Sequence, residues 1–390
     1  MDIPRRSFLS ISAAAVPALA GATAAKAARD SQTPPGIRDT VLEAIVERNQ
    51  FILDSSRTPR KLGDQKSSDK YKVNRLIASQ ELKNRKGRLA TYGFAYSSGS
   101  SSVSVDAWED LGSTATAKVT ETTGLDVLSY LKGPENVTTK YKANHTALFV
   151  RQGNDWVIDE LILDGEQHGL PMSVVEISLT PTRQLHRRSP ATGRGGATPG
   201  PNGVVTDPKS NAGIPGQVRP MTTAGYDYNA MINYAVNYVF YYNPQYRSYN
   251  DTGGDCTNFV SQAAFAGQWP MTELGYRGDA RYWYYDWQVE SWSWINTQYF
   301  KYFILNSGRT YELAYLNDLG PADFVQIHWG TDPTPADVPD HTMIVTLYSW
   351  TGGRNGIYLT YHSRDTLNQL IWDLYDQYLP YNATWWAHRT

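Results

Sequence analysis

The chain has very little cysteine: Cys256 is the only one in 390 residues. A single cysteine cannot form a disulfide within its own chain, so a disulfide-stabilised framework is excluded. The thiol is either free or paired with another molecule, and a free thiol is readily oxidised in an oxidising compartment. Two interpretations stay open at this point: a small buried apolar residue, or a thiol with a chemical role.

Charge imbalance and long apolar runs are also lacking. The 36 basic and 38 acidic residues give a formal net charge of −2, which argues against nucleic-acid or membrane-surface binding driven by bulk charge. The longest apolar run, from Ile11 to about Ala25, is shorter than the roughly 20 residues of a spanning helix, so we expect no membrane span. Aromatic residues are abundant instead. The 27 Tyr and 12 Trp suit clefts that bind by stacking and hydrogen bonding, including sugar-binding clefts.

The short apolar run has the features of an export signal. Arg5-Arg6 precedes it, and Ala18-Leu19-Ala20 and Ala25-Lys26-Ala27 are candidate cleavage sites. Twin arginines, a short apolar core and small residues before the cleavage point are typical of the bacterial twin-arginine route. We therefore predict that residues 1–27 are a signal peptide and that the mature protein is secreted or associated with the cell wall.

Composition divides the remaining chain into three regions. Residues 36–180 combine one helical pattern with alternating strand patterns, and Gly153-Asn154-Asp155 is a hairpin signal between two of these strands. Residues 181–221 are rich in proline and glycine and predict a linker. Residues 222–390 carry most of the tryptophans and predict a second unit. We expect an α+β fold for each unit.

The first unit has a fold-level resemblance only. A helix followed by a meander that ends near Asp155–Glu160 resembles the nuclear-transport-factor-2-like fold, which has a cone-shaped sheet. Such folds host enzymes, ligand pockets and dimerisation modules, so the resemblance implies no single function. It makes this unit a candidate surface for a homodimer. His145, which lies in a strand pattern, is expected to be structural.

Cys256 is predicted to open a helix. Apolar residues recur at helical spacing after Gly253-Gly254, so the helix begins at Asp255 or Cys256. The positive end of a helix favours a thiolate there, and the glycines leave room for substrate and for backbone N–H groups that stabilise an oxyanion. An adjacent carboxylate at Asp255 opposes the thiolate unless its side chain caps the helix. Asn258 is expected to cap the helix or to support the oxyanion site.

A thiol nucleophile needs a histidine base, and His341 is the best candidate. It opens an apolar strand pattern 85 residues after Cys256 (341 − 256), and a strand holds a ring rigidly. Cysteine on a helix followed by histidine on a later strand is the order of papain-like enzymes. In the hairpin that follows, residues near 362 to 366 lie opposite His341. Either His362 or Asp365 is therefore predicted to orient the His341 ring.

Four motifs carry a specific resemblance. They are Tyr242-Asn243-Pro244-Gln245-Tyr246, Gly254-Asp255-Cys256-Thr257-Asn258-Phe259-Val260-Ser261-Gln262, Asp340-His341-Thr342-Met343-Ile344-Val345 and Tyr361-His362-Ser363-Arg364-Asp365-Thr366. They look like the motifs of the putative amidase domain family, which is bacterial, often secreted and thought to share the papain-like fold of cell-wall peptidases. The resemblance spans about Gly225 to Trp372. It departs from the family at Ala322, where glycine is expected, and at Ala263, where some members carry a second cysteine.

Together these observations predict a C-terminal papain-like domain, a helix against an antiparallel sheet, that hydrolyses an amide or peptide bond. Cys256 would attack the carbonyl, His341 would act as general base, and the resemblance implies a peptide or peptidoglycan-like substrate in the cell wall. Two alternatives stay open: a non-catalytic wall-binding scaffold, and an acyl transferase with the same Cys–His pair. The scattered histidines show no metal-ligand spacing, so we expect no metal or organic cofactor.

Overall fold

The computed structural model describes residues 33–54, 62–130, 137–164, 225–331, 334–349 and 354–390. The predicted signal peptide and the predicted linker lie outside these residues, and both stay predictions.

Within the described residues, the N-terminal part consists of two α-helices followed by four antiparallel strands. Its elements are α1 (Ile37–Gln50), α2 (Asp69–Thr91), β1 (Phe94–Asp110), β2 (Thr114–Ser129), β3 (Val137–Gln152) and β4 (Asp155–Leu163). Ser68 caps α2 by accepting a hydrogen bond from the Tyr71 N–H, which is the usual role of serine at a helix start. Gly153 turns the chain with a φ of 63° between β3 and β4, so the predicted hairpin is confirmed.

The C-terminal part adds five helices and six strands within the described residues. Its elements are α3 (Tyr228–Tyr238), α4 (Cys256–Ala266), α5 (Trp292–Ile295), α6 (Thr297–Asn306), β5 (Tyr311–Leu313), β6 (Phe324–His328), β7 (His341–Ser349), β8 (Gly356–Tyr361), β9 (Thr366–Leu370), α7 (Ile371–Tyr378) and β10 (Thr384–Arg389). Helices and a large antiparallel sheet confirm the predicted α+β class. Both the helix at Cys256 and the strand at His341 begin where the sequence placed them.

One ten-stranded sheet runs through both parts: nine strands follow the order β1-β2-β3-β9-β8-β7-β6-β10-β5, and β4 pairs with β3 beside this path. The long strand β3 makes the connection. Its second half pairs with β4 from His145 to Gln152, and its first half pairs with β9 at Lys140↔Leu367 and Tyr141↔Thr366. The two units that composition separates are therefore joined by backbone hydrogen bonds in the described residues.

The two parts also share an apolar core and a buried ion pair. Phe94 and Val127 belong to the same buried cluster as Tyr361 and Trp372. Arg85 on α2 binds Asp373 on α7 through two hydrogen bonds of 2.6 Å, and both side chains are almost fully buried. Breaking a buried pair by removing one partner leaves an uncompensated charge, so this contact fixes α2 against α7.

The strand β7 has two different faces. Met343 and Val345 point into the core shared by the two parts, whereas Ile344 packs with Phe259 of α4 in a second core. Side chains alternate between the faces of a strand, so α4 covers the face of β7 that carries Ile344. This packing brings the start of α4 to the start of β7.

The last residues described form an ordered strand that contains His388. This residue lies in β10, which pairs with β6 and β5 on its two sides, and its side chain is fully buried. The pairing on both edges orders the last residues of the chain.

Candidate active site

Two glycines shape the loop that leads into α4. Gly253 and Gly254 have φ values of 112° and 103°, in a region that residues with a Cβ rarely adopt. A Cβ on Gly254 would lie 2.8 Å from Ser363 Oγ. Ser363 Oγ in turn accepts a 2.7 Å hydrogen bond from the Asp255 N–H. The hydrogen bond between Ser363 and Asp255 therefore attaches the turn after β8 to the start of α4. Gly254 leaves room for the Ser363 side chain because it has no Cβ.

The Cys256 thiol is buried at the first residue of α4, with 6% of the residue exposed. The backbone N–H of Thr342 donates to its sulfur, and the Thr257 hydroxyl lies 3.9 Å from it. Burial raises the pKa of the thiol, and the Asp255 carboxylate raises it further, while these two hydrogen bonds act in the opposite direction. Burial outweighs the helix terminus, so the preformed thiolate expected from the sequence is not favoured here.

His341 is the first residue of β7 and pairs with Ile327 of β6. Its ring contacts Trp329 with 5.6 Å between ring centroids, and Tyr361 edge-on at 5.1 Å. Burial lowers the pKa of His341 to about 3, and the nearby Arg364 charge adds to the shift. The imidazole is therefore neutral at ordinary pH, as a general base must be.

Cys256 and His341 are neighbours through the residues that follow them. The hydroxyls of Thr257 and Thr342 lie 3.0 Å apart, and Thr342 also supplies the N–H that reaches the sulfur. His341 Nε2 is buried and has no hydrogen-bond partner in the described part of the chain. The His341 ring packs against Trp329 and Tyr361 of the shared core, whereas the Thr342 side chain faces α4, so no hydrogen bond within the described residues joins this nitrogen to the thiol. Catalytic hydrogen bonds are often long before substrate binds.

The predicted role of His362 as the residue that orients His341 is corrected by its contacts. His362 Nδ1 lies 2.7 Å from Asp255 Oδ2, and its Nε2 lies 3.0 Å from the Tyr238 carbonyl oxygen. Both ring nitrogens are therefore occupied by partners other than His341. The sequence placed His362 correctly after β8, but its partner Asp255 comes from the start of α4.

Asp365 also has another partner. Its Oδ1 accepts a 2.7 Å hydrogen bond from the Tyr242 hydroxyl, and Asn250 donates to the same hydroxyl. Burial raises the pKa of Asp365, while the neighbouring His362 lowers it. This carboxyl belongs to a chain of hydrogen bonds that holds the loop after α3, and its recorded contacts do not orient His341.

Asp255 and Asn258 support the site in a different way from the one predicted. Asp255 makes no side-chain cap of α4; its Oδ1 accepts from the Tyr249 N–H and from Asn258 Nδ2. Asn258 also donates to the Arg247 carbonyl, and its oxygen accepts from Trp294 Nε1. Since its amide is fully used by the protein, Asn258 has no free donor for an oxyanion and does not cap the helix.

Sequence reasoning missed three residues that join these elements. They are Tyr242, Thr342 and Ser363. Thr342 directly follows His341 in the sequence, and Ser363 directly follows His362. This position next to a candidate histidine is the sequence feature that could have indicated them. Tyr242 stacks on the His362 ring at 4.0 Å, a contact that no local pattern indicates.

A second buried polar cluster lies in the N-terminal part. Glu121 accepts hydrogen bonds from Arg48, Tyr141 and Thr123 on one oxygen, and His145 Nε2 lies 2.8 Å from the other. The Arg48 charge and the His145 hydrogen bond outweigh burial and hold the Glu121 pKa well below its usual range. With both carboxylate oxygens paired, these contacts favour a structural role for His145.

The described residues contain no group of three or more His, Cys, Asp or Glu side chains placed to hold a metal ion. No helix among them is both long and apolar enough to cross a membrane.

Comparison with known proteins supports an amide-bond hydrolase at family level. Residues 225–385 match the family model described as "Putative amidase domain", a range that contains every candidate residue above. An uncharacterized protein of Bacillus subtilis (strain 168), YjcM, is 32% identical over 157 residues. That alignment covers 39% of this chain and 34% of YjcM, so this chain spans about a third of the relative's length.

One solved structure resembles part of the chain. The intermembrane space region of the chloroplast protein ARC6 is 14% identical, with a TM-score of 0.20, and the match covers 33% of this chain and 98% of that one. A likeness of this size carries no argument about the fold.

Proposed function

We propose that the chain is a cysteine amidase or peptidase that hydrolyses an amide or peptide bond in cell-wall material, with Cys256 as nucleophile and His341 as general base. One observation carries this proposal. Cys256 opens α4, and the hydroxyl of the next residue, Thr257, lies 3.0 Å from that of Thr342, the residue after His341, inside the region that matches the amidase domain.

The reaction would begin from a neutral thiol and a neutral imidazole. As the sulfur of Cys256 attacks the substrate carbonyl carbon, His341 accepts the thiol proton and a tetrahedral intermediate forms. Backbone N–H groups at the start of α4 are suited to stabilise its oxyanion. The imidazolium of His341 then donates its proton to the leaving amine, the C–N bond breaks, and an acyl-enzyme remains. Water, deprotonated by His341, releases the carboxylate product and restores the thiol.

A glycan-linked peptide is the substrate class that we favour. Exposed aromatic side chains are available for stacking against sugar rings, and they include Tyr276 (72% exposed), Trp287 (57%) and Trp292 (36%). Trp287 is connected to the site: its carbonyl accepts from Arg247 Nη2, and the Arg247 carbonyl accepts from Asn258. These surfaces support peptidoglycan as the first substrate to test.

The test is hydrolysis of purified peptidoglycan fragments by the protein and by Cys256→Ala, with release of amino groups as the readout. Amine release by the protein but not by the variant supports the proposal. Binding of fragments without amine release by either protein would favour the wall-binding scaffold. If an added amine is incorporated into the product in a Cys256-dependent reaction, the same thioester intermediate is being used for acyl transfer.

Export belongs to the same proposal. Arg5-Arg6 before a short apolar run supports passage through the twin-arginine route, which would place the enzyme where the wall is. Replacing both arginines with lysine should retain the protein in the cytoplasmic fraction of a bacterial host. Unchanged export of that variant would argue against this route.

A further inference from the structure

His362 and Asp255 form a buried pair directly beside the nucleophile. The two residues are 2% and 1% exposed, and His362 Nδ1 lies 2.7 Å from Asp255 Oδ2. The other carboxylate oxygen of Asp255 accepts two N–H donors, from Tyr249 and Asn258. A carboxyl group that accepts several N–H hydrogen bonds is stabilised in its ionised form.

Both nitrogens of the His362 ring face acceptors. Opposite Nδ1 is the Asp255 carboxylate, and opposite Nε2 is the Tyr238 carbonyl oxygen at 3.0 Å. A carbonyl oxygen only accepts, and an imidazole has a hydrogen on both nitrogens only in its cationic form. Free imidazole also holds a proton more tightly than a free carboxylate does. The geometry is therefore that of an imidazolium–carboxylate ion pair.

Aromatic rings hold this imidazolium on both faces. The rings of Tyr242 and Phe259 stack on it with 4.0 Å between centroids and interplanar angles of 22° and 25°. A cation is attracted to the face of an aromatic ring. The other ionisable carboxyl near His362 is Asp365, which accepts from Tyr242. His362 is thus fixed in place, with its charge directed at Asp255.

Asp255 directly precedes Cys256, so the charge of the His362–Asp255 pair acts on the thiol. An unpaired carboxylate next to Cys256 would disfavour the thiolate that develops during attack. We propose that His362 is a positioning residue that offsets the charge of Asp255 and thereby limits how far this carboxylate disfavours the Cys256 thiolate. The inference rests on Cys256 being the nucleophile of the proposed function, but its consequence is a property of the thiol and can be measured without any substrate.

Three other charged or titratable groups lie near the thiol, and none of them is paired with the Asp255 carboxylate as His362 is. His341 is neutral because burial lowers its pKa to about 3. Arg364 acts on His341 from the turn after β8, and Asp365 is a further carboxyl rather than a cation. His362 is the cation that contacts Asp255 directly.

The experiment measures the rate at which the uncharged reagent iodoacetamide alkylates Cys256 as a function of pH. Four proteins are compared: the unchanged chain, His362→Gln, Asp255→Asn and the double variant. In His362→Gln the uncompensated carboxylate should shift the alkylation midpoint upward by about one pH unit, which is about tenfold in rate at fixed pH. The double variant, which removes both charges, should return the midpoint to that of the unchanged chain.

A merely structural role predicts a different pattern, because the double variant would then be at least as impaired as either single variant. An unshifted midpoint in His362→Gln, or no recovery in the double variant, overturns the inference. Nitrogen NMR of the labelled histidine rings tests it without any substitution: both His362 nitrogens should carry hydrogen near neutral pH, and one bare nitrogen would overturn it. Thiol alkylation does not depend on amide hydrolysis, so failure here and failure of the proposed function are distinguishable.

Discussion

Thr257 and Thr342 share a hydrogen bond of 3.0 Å between their hydroxyl oxygens. Each follows a candidate catalytic residue, so the bond ties the start of α4 to the start of β7. Both threonines are fully buried, and Gln326 donates a second hydrogen bond to Thr342. The relative position of Cys256 and His341 therefore depends on this contact between two buried hydroxyls.

Removing the Thr342 hydroxyl should disturb that relationship. Thr342→Val keeps the shape of the side chain but leaves the buried Thr257 hydroxyl and the buried Gln326 amide without this partner, at a cost of about 1–3 kcal/mol in the free energy of unfolding. We expect a lower kcat with a smaller change in KM, measured on the hydrolysed substrate. Thr342→Ser keeps the hydroxyl and is the matched control. Equal kcat values for the Val and Ser variants would contradict this role.

Local patterns in the sequence predicted α4 and β7. They did not predict which residues far apart in the sequence form pairs in the structure. Two glycines and a helical apolar pattern predicted the helix at Cys256, and an apolar run predicted the strand at His341. The partner of His362 is 107 residues away in the sequence, and the partner of Arg85 is 288 residues away. Such pairs depend on how the elements pack, which periodicity and composition do not encode. For this reason the sequence did not predict the contacts that His362 makes with Asp255 and Asp365 makes with Tyr242.

The buried ion pair between α2 and α7 predicts that the two parts unfold together. Arg85→Ala leaves the Asp373 carboxylate buried without its guanidinium, although Tyr96 and Gln369 still donate to it. We expect a loss of about 3–5 kcal/mol in the free energy of unfolding, measured by urea denaturation. Arg88→Ala is the control and should cost less, because the Arg88 side chain is 40% exposed, although its partner Asp376 is only 2% exposed. A cost of Arg85→Ala as small as that of Arg88→Ala would show that the pair does not hold the parts together.

The loop glycines offer a matched pair of substitutions. Both have positive φ, but a Cβ on Gly254 would lie 2.8 Å from Ser363 Oγ, whereas a Cβ on Gly253 would meet nothing within 4 Å. Gly254→Ala should displace the hydroxyl that accepts from Asp255 and should lower kcat more than Gly253→Ala does. Backbone strain is common to the two variants, so the difference between them isolates the contact with Ser363. Equal losses of kcat would mean that strain alone matters.

Two neutral histidines make stability depend on pH. Burial lowers the pKa of both His341 and His388 to about 3, whereas a histidine in the unfolded chain titrates near ~6.5. Between these values the unfolded chain binds more protons, so stability is complete above about pH 6.5 and is lost as pH falls towards 3. The urea midpoint should fall over this window, and less steeply in His388→Leu. Identical pH dependence in the two proteins would contradict the buried neutral state of His388.

The most direct test of the central claim is amine release from peptidoglycan fragments by the unchanged protein, by Cys256→Ala and by His341→Ala. The account predicts release by the unchanged protein and loss of all detectable release in both variants, with the folded state of each confirmed by its urea midpoint. Release that persists in folded Cys256→Ala would contradict the assignment of Cys256 as the nucleophile.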